Sequence, residues 1–280
     1  QPYDSHYQAP ATVAEAEPTR PADDDDPADA FRETLLDILV DRLAQAGPPA
    51  HQIWLPPLSD PPALNQLLPG LVRDPQRGLT VSVPEMRGSL RGVVGLVDRP
   101  FEQRRDVLVV DLSGAGGNVA VVGAPRSGKS TLLRTLIGGL AVTHTPAEAQ
   151  FYCLDLAGGG LAPLRDLPHV GGVASRLEPE RVRRTVAEVA GILRDRERSF
   201  TRLGIDSITT YRALRADGRI SDDPYGDVLL VIDGWATLRS EFASLETTVV
   251  DLATRGLGFG VHVILTCTRW LDLRTNVRDL

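Results

Sequence analysis

The stretch Val121–Leu133, "VVGAPRSGKSTLL", constrains the fold more than any other part of this 280-residue chain. Its residues from Gly123 to Ser130 match the pattern G-x-x-x-x-G-K-[ST] in full. The apolar run over 117–123 predicts a strand before the pattern, and a helix is predicted after it, over 128–142. A strand, a glycine-rich turn and a helix in this order predict a loop that binds phosphate groups.

The residue types in this loop each have a chemical reason. Gly123 and Gly128 allow a tight turn whose N–H groups point at phosphate oxygens, and the helix that begins near Lys129 adds the positive end of its dipole. The Ser130 hydroxyl is suited to bind Mg²⁺, and Thr131 to contact a more proximal phosphate. The predicted nucleotide-binding residues are Gly123, Ala124, Pro125, Arg126, Ser127, Gly128, Lys129, Ser130 and Thr131.

Lys129 is the only lysine among the 30 Lys and Arg residues of the chain. A compact ammonium group on a flexible stem fits between phosphates inside such a loop, whereas a planar guanidinium with five donors does not. Replacement of lysine by arginine is tolerable elsewhere but not here. The retained lysine therefore indicates that phosphate binding still matters in this protein.

A second nucleotide-binding element is "VLLVIDGW", in which Asp233 follows an apolar strand predicted over 227–235. An acid in this place is the Walker B residue, which holds Mg²⁺ together with Ser130. Many hydrolysing proteins of this class have Glu at the next position to polarise the attacking water, but this chain has Gly234. The nearest later carboxylate is Glu241. The sequence thus predicts a site that holds ATP and Mg²⁺, with weak or absent hydrolysis.

Weaker candidates surround these two elements. Thr266 and Thr268 end a strand predicted over 260–268, where they are either γ-phosphate sensors or ordinary strand-end hydroxyls. Arg255 and Arg269 are candidate arginine fingers toward a neighbouring subunit, although most such residues are surface charges. Asp155 either lines the site or caps the turn into the "AGGG" stretch at 157–160.

The remaining composition argues against other chemistries. Residues 1–30 carry the whole net charge of −7, so that the other 250 residues are neutral, which is weak evidence against nucleic-acid binding. No apolar run is long enough for a membrane helix and no secretory signal opens the chain. Core or turn roles are expected for Cys153, Cys267, His169 and His262, because the cysteines lie in apolar runs and the histidines lack partners at metal-ligand spacing.

Unbroken apolar strands alternate with helices along the chain, which predicts an α/β fold with a mainly parallel sheet covered on both faces. Strands over 79–83, 91–98 and 106–113 are expected in a peripheral sheet. Apolar strands are predicted over 117–123, 149–156, 227–235 and 260–268, and those over 149–156 and 260–268 are expected to be buried. Helices are predicted over 30–46, 128–142, 176–204 and 242–258.

Three regions follow from this pattern. Residues 1–28 are a disordered acidic tail or linker, with Asp29 as the cap of the first helix. Residues 29–78 form an N-terminal helical and strand extension that packs on the ATPase core. Residues 79–280 form the P-loop domain, which is expected to be truncated at its C-terminal end because a buried strand comes so close to Leu280.

Taken together, the stretches "IWLPPL", "DLSGAGGNVAVVGAPRSGKSTLL", "FYCLDLAGGGL", "LPHVGGVA", "DPYGDVLLVIDGW" and "GLGFGVHVILTCTRW" resemble the FtsK/SpoIIIE-like ATPases. The resemblance covers about 31–280 and is closer to the EccC-type ATPases of type VII (ESX) secretion systems. It implies a RecA-like P-loop NTPase fold with ATP and Mg²⁺ as cofactors. The departure at Gly234 resembles the downstream ATPase domains of that family, since the first domain generally keeps the water-activating acid.

The resemblance also implies a setting. Family members drive export of small Esx/WXG-type and PE/PPE proteins through an inner-membrane complex. The expected partners are neighbouring ATPase domains of the same or another chain, the ESX membrane components and the exported substrates, with a hexamer as the family's common assembly. The expected location is the cytoplasmic face of the inner membrane, reached through the rest of the chain or complex.

Three functions are compatible with these residues. The first is tight ATP binding with little or no turnover. The second is an active ATPase that a neighbouring subunit completes in trans. The third, an FtsK-type DNA translocase domain, requires strongly salt-dependent DNA binding, which the neutral body of the chain does not favour.

Overall fold

The computed structural model of the protein describes residues 34–44, 46–47, 50, 55–58, 60–114 and 116–278. By its internal contacts the chain divides into two units, Gln1–Ile53 and Trp54–Leu280. The acidic tail predicted over 1–28 and the predicted cap Asp29 lie outside the described residues.

In the first unit, helix α1 spans Leu35–Ala44, inside the helix predicted over 30–46. Its first turn is closed by Thr34 and Asp37. The Thr34 hydroxyl accepts the Asp37 N–H at 3.2 Å, and the Asp37 carboxylate accepts the Thr34 N–H at 2.8 Å. This reciprocal pair satisfies N–H groups that a helix start leaves without intrahelical partners.

The second unit opens with helix α2 (Leu64–Leu67) and two antiparallel hairpins. Strand β1 (Leu71–Asp74) pairs with β2 (Gly78–Val81), and β3 (Arg91–Arg99) pairs with β4 (Arg104–Asp111). The prediction of a single peripheral sheet was wrong, because the hairpins form separate two-stranded sheets and β1 was not predicted. A short 3₁₀ turn at Pro84–Met86 divides them, since Pro84 has no N–H with which to continue a ladder.

The β3–β4 hairpin packs on helix α3, which spans Lys129–Thr143. Two glycines allow the close approach. A Cβ on Gly92 would lie 2.3 Å from the Leu136 side chain, and one on Gly139 would lie 3.2 Å from the Val93 carbonyl oxygen. The hairpin therefore seats directly on the helix that follows the predicted phosphate loop.

The centre of the second unit is a five-stranded sheet in which all strands are parallel, as predicted. It contains β5 (Val119–Val122), β6 (Ala149–Asp155), β7 (Val170–Ser175), β8 (Asp227–Asp233) and β9 (Val261–Cys267), in the order β5-β9-β8-β6-β7. Every residue of β8 and β9 is buried. This explains why their sequences are apolar without alternation.

Helices cover both faces of this sheet. Leu229 and Val231 belong to the apolar cluster that includes α3. Val228, Leu230 and Ile232 belong to the cluster formed with α4 (Pro179–Leu203) and α7 (Ala243–Arg255). Successive side chains of one strand thus enter different halves of the core.

Several boundaries differ from those predicted. The strand predicted over 227–235 ends at Asp233, because Gly234 adopts φ 110° and ψ 60° and begins helix α6 (Trp235–Glu241). The helix predicted over 176–204 starts at Pro179, a favoured first helical residue. Strand β7 and helices α5 (Ile208–Ala216), α6 and α8 (Thr275–Arg278) were not predicted. Within the described residues, no helix combines the length and apolar character needed to cross a bilayer.

Candidate nucleotide-binding site

A cleft of about 680 Å³ lies at the carboxyl ends of the central strands. The loop between β5 and α3 forms one wall. The ends of β8 and β9 and the start of α6 (Trp235, Ala236 and Thr237) also line the cleft, together with Leu156, Ala157 and Arg176. The strand order brings this about, since β9 separates β5 from β8 by one strand and sets the glycine-rich loop beside Asp233. The sequence-predicted loop residues 125–131, Asp233, Thr266 and Thr268 all line the cleft.

The loop has the backbone that its glycines predict. Gly128 has φ 88° and caps α3, and a Cβ on Gly123 would lie 2.5 Å from the Ser127 hydroxyl oxygen. The Lys129 ammonium donates to the carbonyl oxygens of Gly123 at 2.7 Å and Ala124 at 2.8 Å. The single lysine therefore lies within the loop, where an anionic ligand would meet it.

Asp233 is buried and both its carboxylate oxygens are engaged. One accepts the Ser130 hydroxyl at 2.6 Å, and the other accepts the Thr266 hydroxyl at 2.7 Å. The Gly234 N–H in turn donates to Thr266 at 2.9 Å. Ser130 and Asp233 thus place two oxygen atoms side by side, and Mg²⁺ prefers oxygen ligands of this kind. The hydrogen bond from Thr266 orients the Asp233 carboxylate.

The "AGGG" stretch contributes a site residue that sequence reasoning missed. Asp155 accepts the N–H groups of Gly159 at 2.9 Å and Leu161 at 2.8 Å, so it caps this turn. The turn brings Gly160 against the Ser130–Asp233 pair. A Cβ there would lie 2.8 Å from Ser130 Cβ and 3.6 Å from an Asp233 carboxylate oxygen. In the sequence, the run of three glycines after a buried strand could have indicated this close approach.

The position after Asp233 carries no acid. Among the described residues that line the cleft, Asp233 is the one carboxylate. Glu241 lies at the last residue of α6, outside the lining, and its carboxylate is bound by Arg176. A Cβ on Gly234 would lie 3.2 Å from Leu156 C and from Ala157 N. The backbone therefore disfavours any side chain at this position.

The other candidates lie apart from the phosphate loop. Arg255 is in the last turn of α7, where it pairs with Asp251 and with Glu197 at 2.6 Å. Arg269 follows Thr268 and pairs with Asp272 at 3.4 Å. Neither lines the cleft, and their role toward a neighbouring subunit stays a prediction.

The histidines and cysteines have structural surroundings. His262 Nδ1 lies 3.1 Å from the Gly117 carbonyl oxygen, and His169 Nε2 lies 2.8 Å from that of His144. Burial raises the pKa of the Cys153 thiol to about 12. Cys267 lines the cleft, but burial also raises the pKa of its thiol, so that it stays protonated near neutral pH.

A glycine-rich loop with its lysine, a helix that begins at that lysine, and a Walker B acid two strands away define a P-loop ATPase domain. The comparison with known families makes this more specific. The chain belongs to the FtsK/SpoIIIE family, which matches residues 91–280.

A curated sequence and two solved structures, all of EccC from Thermomonospora curvata, are similar to the chain. The chain is 52% identical, over all of its length, to "ESX secretion system protein EccC" of Thermomonospora curvata, and it spans only 21% of that protein. It superimposes with a TM-score of 0.82 and 56% identity on the cytoplasmic domain of the Thermomonospora curvata type VII secretion ATPase EccC, covering 88% of this chain and 29% of that one. The structure of ATPases 2 and 3 of the same protein, solved with a signal sequence peptide, gives a TM-score of 0.78 and 56% identity, covering 81% and 41%.

Proposed function

We propose that the chain is an ATP-binding domain of a type VII secretion motor, with tight ATP binding and weak or no hydrolysis. The observation that carries the proposal is the contrast within one cleft. Lys129, Ser130 and Asp233 are assembled to hold a nucleotide with its metal ion. Gly234 stands where a water-activating acid would be needed, in a backbone conformation suited to glycine.

The residues of the cleft fit ATP with Mg²⁺. Ser130 and Asp233, which share a hydrogen bond, would hold the ion, and Lys129 and the loop N–H groups would bind phosphates. When bound, Mg²⁺ neutralises charge on the phosphate oxygens. Gly160 leaves the space beside the Ser130–Asp233 pair that a side chain would fill. Thr266 keeps the Asp233 carboxylate oriented for this role.

Holding ATP without cleaving it has a physical use. A ligand present at 1,000 times its Kd stabilises the folded state by about 4 kcal/mol. ATP bound in the cleft would therefore act as a structural element that couples the domain to its neighbours. Nucleotide exchange, rather than rapid turnover, would then change the state of the domain.

The assignment to a downstream ATPase domain and to the ESX setting draws on the relatives. The 56% identity with a chain made of ATPases 2 and 3 supports a non-first domain. On this proposal the partners are neighbouring ATPase domains, the inner-membrane ESX components and Esx/WXG-type or PE/PPE substrates, in a hexameric assembly. The domain would work at the cytoplasmic face of the membrane through the rest of that assembly, and nucleic acid is not an expected partner.

The test is to purify the protein without added nucleotide, denature it and identify what is released. Stoichiometric ATP is expected, and it should be absent from the Lys129→Ala variant. Release of ADP, or phosphate release near ~1 s⁻¹ that Lys129→Ala abolishes, would instead support an ATPase. Turnover that appears only with a neighbouring domain would favour completion in trans. A salt-dependent gel shift with DNA would favour a translocase.

A further inference from the structure

Arg176 is a cation of the cleft that the loop motif does not include. It directly follows β7, the strand at one edge of the central sheet, whereas the phosphate loop follows β5 at the opposite edge. Its side chain lines the cleft together with Lys129 and Asp233. A ligand held by the loop would therefore have a second positive group approaching from the other side.

The backbone that carries Arg176 is fixed, while its guanidinium is accessible. The Ser175 N–H donates to the Glu178 carboxylate at 3.1 Å, and the Glu178 N–H donates to the Ser175 carbonyl oxygen at 2.9 Å. This reciprocal pair closes the turn on either side of Arg176. The arginine side chain itself is 57% exposed. Its head group can thus change partner without movement of the sheet.

The present partner of Arg176 is Glu241. Arg176 Nε donates to one oxygen of that carboxylate at 2.7 Å, and a second guanidinium nitrogen lies 2.5 Å from the other oxygen. Glu241 does not line the cleft, so this ion pair joins Arg176, which does line it, to a residue outside the lining. A phosphate offers arginine the same bidentate, charge-assisted hydrogen bonds as this carboxylate, and it carries a larger negative charge. Exchange of the carboxylate for a phosphate is therefore energetically accessible.

The charges of the cleft favour that exchange. Among its described lining residues, three are cations (Arg126, Lys129 and Arg176) and one is an acid, Asp233. Arg126 and Lys129 belong to the loop, which binds the phosphates that diphosphates and triphosphates share, and Lys129 also reaches toward the terminal phosphate of a triphosphate. Arg176 approaches from the far edge of the sheet and is therefore positioned to meet an additional, terminal phosphate.

We propose that Arg176 contacts the terminal phosphate of a bound nucleoside triphosphate within the same chain, and that Glu241 holds Arg176 when this phosphate is missing. The inference rests on the proposed nucleotide-binding function and adds a basis for distinguishing triphosphate from diphosphate. The exchange would release Glu241 at the end of α6, the helix that begins beside Asp233. The terminal phosphate would thereby be linked to this helix.

Calorimetric titration of protein from which bound nucleotide has first been removed, with Mg²⁺ and either ADP or a non-hydrolysable ATP analogue, tests the inference. Arg176→Ala should weaken binding of the ATP analogue about tenfold, with ADP affinity changed less than about twofold. Arg176→Lys should restore part of the loss. Glu241→Gln should strengthen binding of the ATP analogue about two- to fivefold, because the competing carboxylate is removed. Arg183→Ala is the matched control, since Arg183 pairs with Glu180 at 2.7 Å on the exposed face of α4.

Each remaining outcome counts against a stated claim. Equal weakening for both nucleotides, or no weakening, in a folded Arg176→Ala variant would overturn the role of Arg176 and leave nucleotide binding intact. Unchanged affinity in Glu241→Gln would overturn the exchange of partners. Binding of neither nucleotide by the unaltered protein would overturn both the inference and the proposed function.

Discussion

Restoring the acid after Walker B should fail, and the reason lies in the backbone. In Gly234→Glu the new residue must keep φ 110°, which an L residue rarely adopts, and its Cβ must lie 3.2 Å from Leu156 C and Ala157 N. A non-glycine residue in a sparsely populated backbone region costs about 1–3 kcal/mol. For a domain of this size, 1 kcal/mol corresponds to roughly 2–4 °C in Tm. The variant should therefore melt about 2–12 °C lower, without a gain in phosphate release.

Thermal denaturation followed by circular dichroism, with phosphate release measured in parallel, checks this expectation. Gly158→Ala is the matched control for Gly234→Ala, because Gly158 has φ 137° but a Cβ there would meet nothing within 4 Å. The difference in Tm between these two alanine variants measures the effect of crowding at Gly234 separately from the effect of backbone strain. A Gly234→Glu variant as stable as the unaltered protein, or one that hydrolyses ATP faster, would refute the reasoning.

Three further predictions concern other parts of the second unit. Gly160→Ala should weaken Mg²⁺–nucleotide binding and lower the Tm, because its Cβ would lie 2.8 Å from Ser130 Cβ and force one of the two to shift; calorimetric titration and thermal denaturation check this. Hydrogen bonds from Arg181 and from the Ser175 N–H lower the pKa of Glu178 from 4.5 to about 2. The stabilisation that the ionised Glu178 carboxylate contributes is fully present above its unfolded-state pKa of about 4.5 and is lost as the pH falls to about 2. In Glu178→Gln, the midpoint of urea denaturation should therefore change less with pH across this window. Arg196→Ala should cost about 3–5 kcal/mol in urea denaturation, because this buried arginine holds Asp223 and four backbone carbonyl oxygens. An equal loss in the exposed-arginine variant Arg183→Ala would contradict that assignment.

Most of the central sheet could be predicted because four of its five strands lie in apolar runs, although β5 at the edge of the sheet is half-buried or exposed. The strands β5, β6, β8 and β9 all fall within predicted ranges. Strand β7 was missed because its sequence "VGGVAS" contains two glycines, and its pairing with β6 comes from tertiary contacts rather than local preference. The separation of the two hairpins likewise depends on how each meets the rest of the chain.

The sequence alone determined the glycine-rich loop, the acid at the end of β8 and the glycine after it, because these elements are defined by residue type at fixed spacing along one strand, turn or helix. Only the tertiary structure decided that Thr266 orients Asp233, that Gly160 lies against Ser130, and that Arg176 pairs with Glu241 at the rim of the cleft. These contacts join residues 30 to 65 positions apart. They arise from the order of strands in a parallel sheet, which gathers the carboxyl ends of distant segments at one edge and leaves no periodic trace in the sequence.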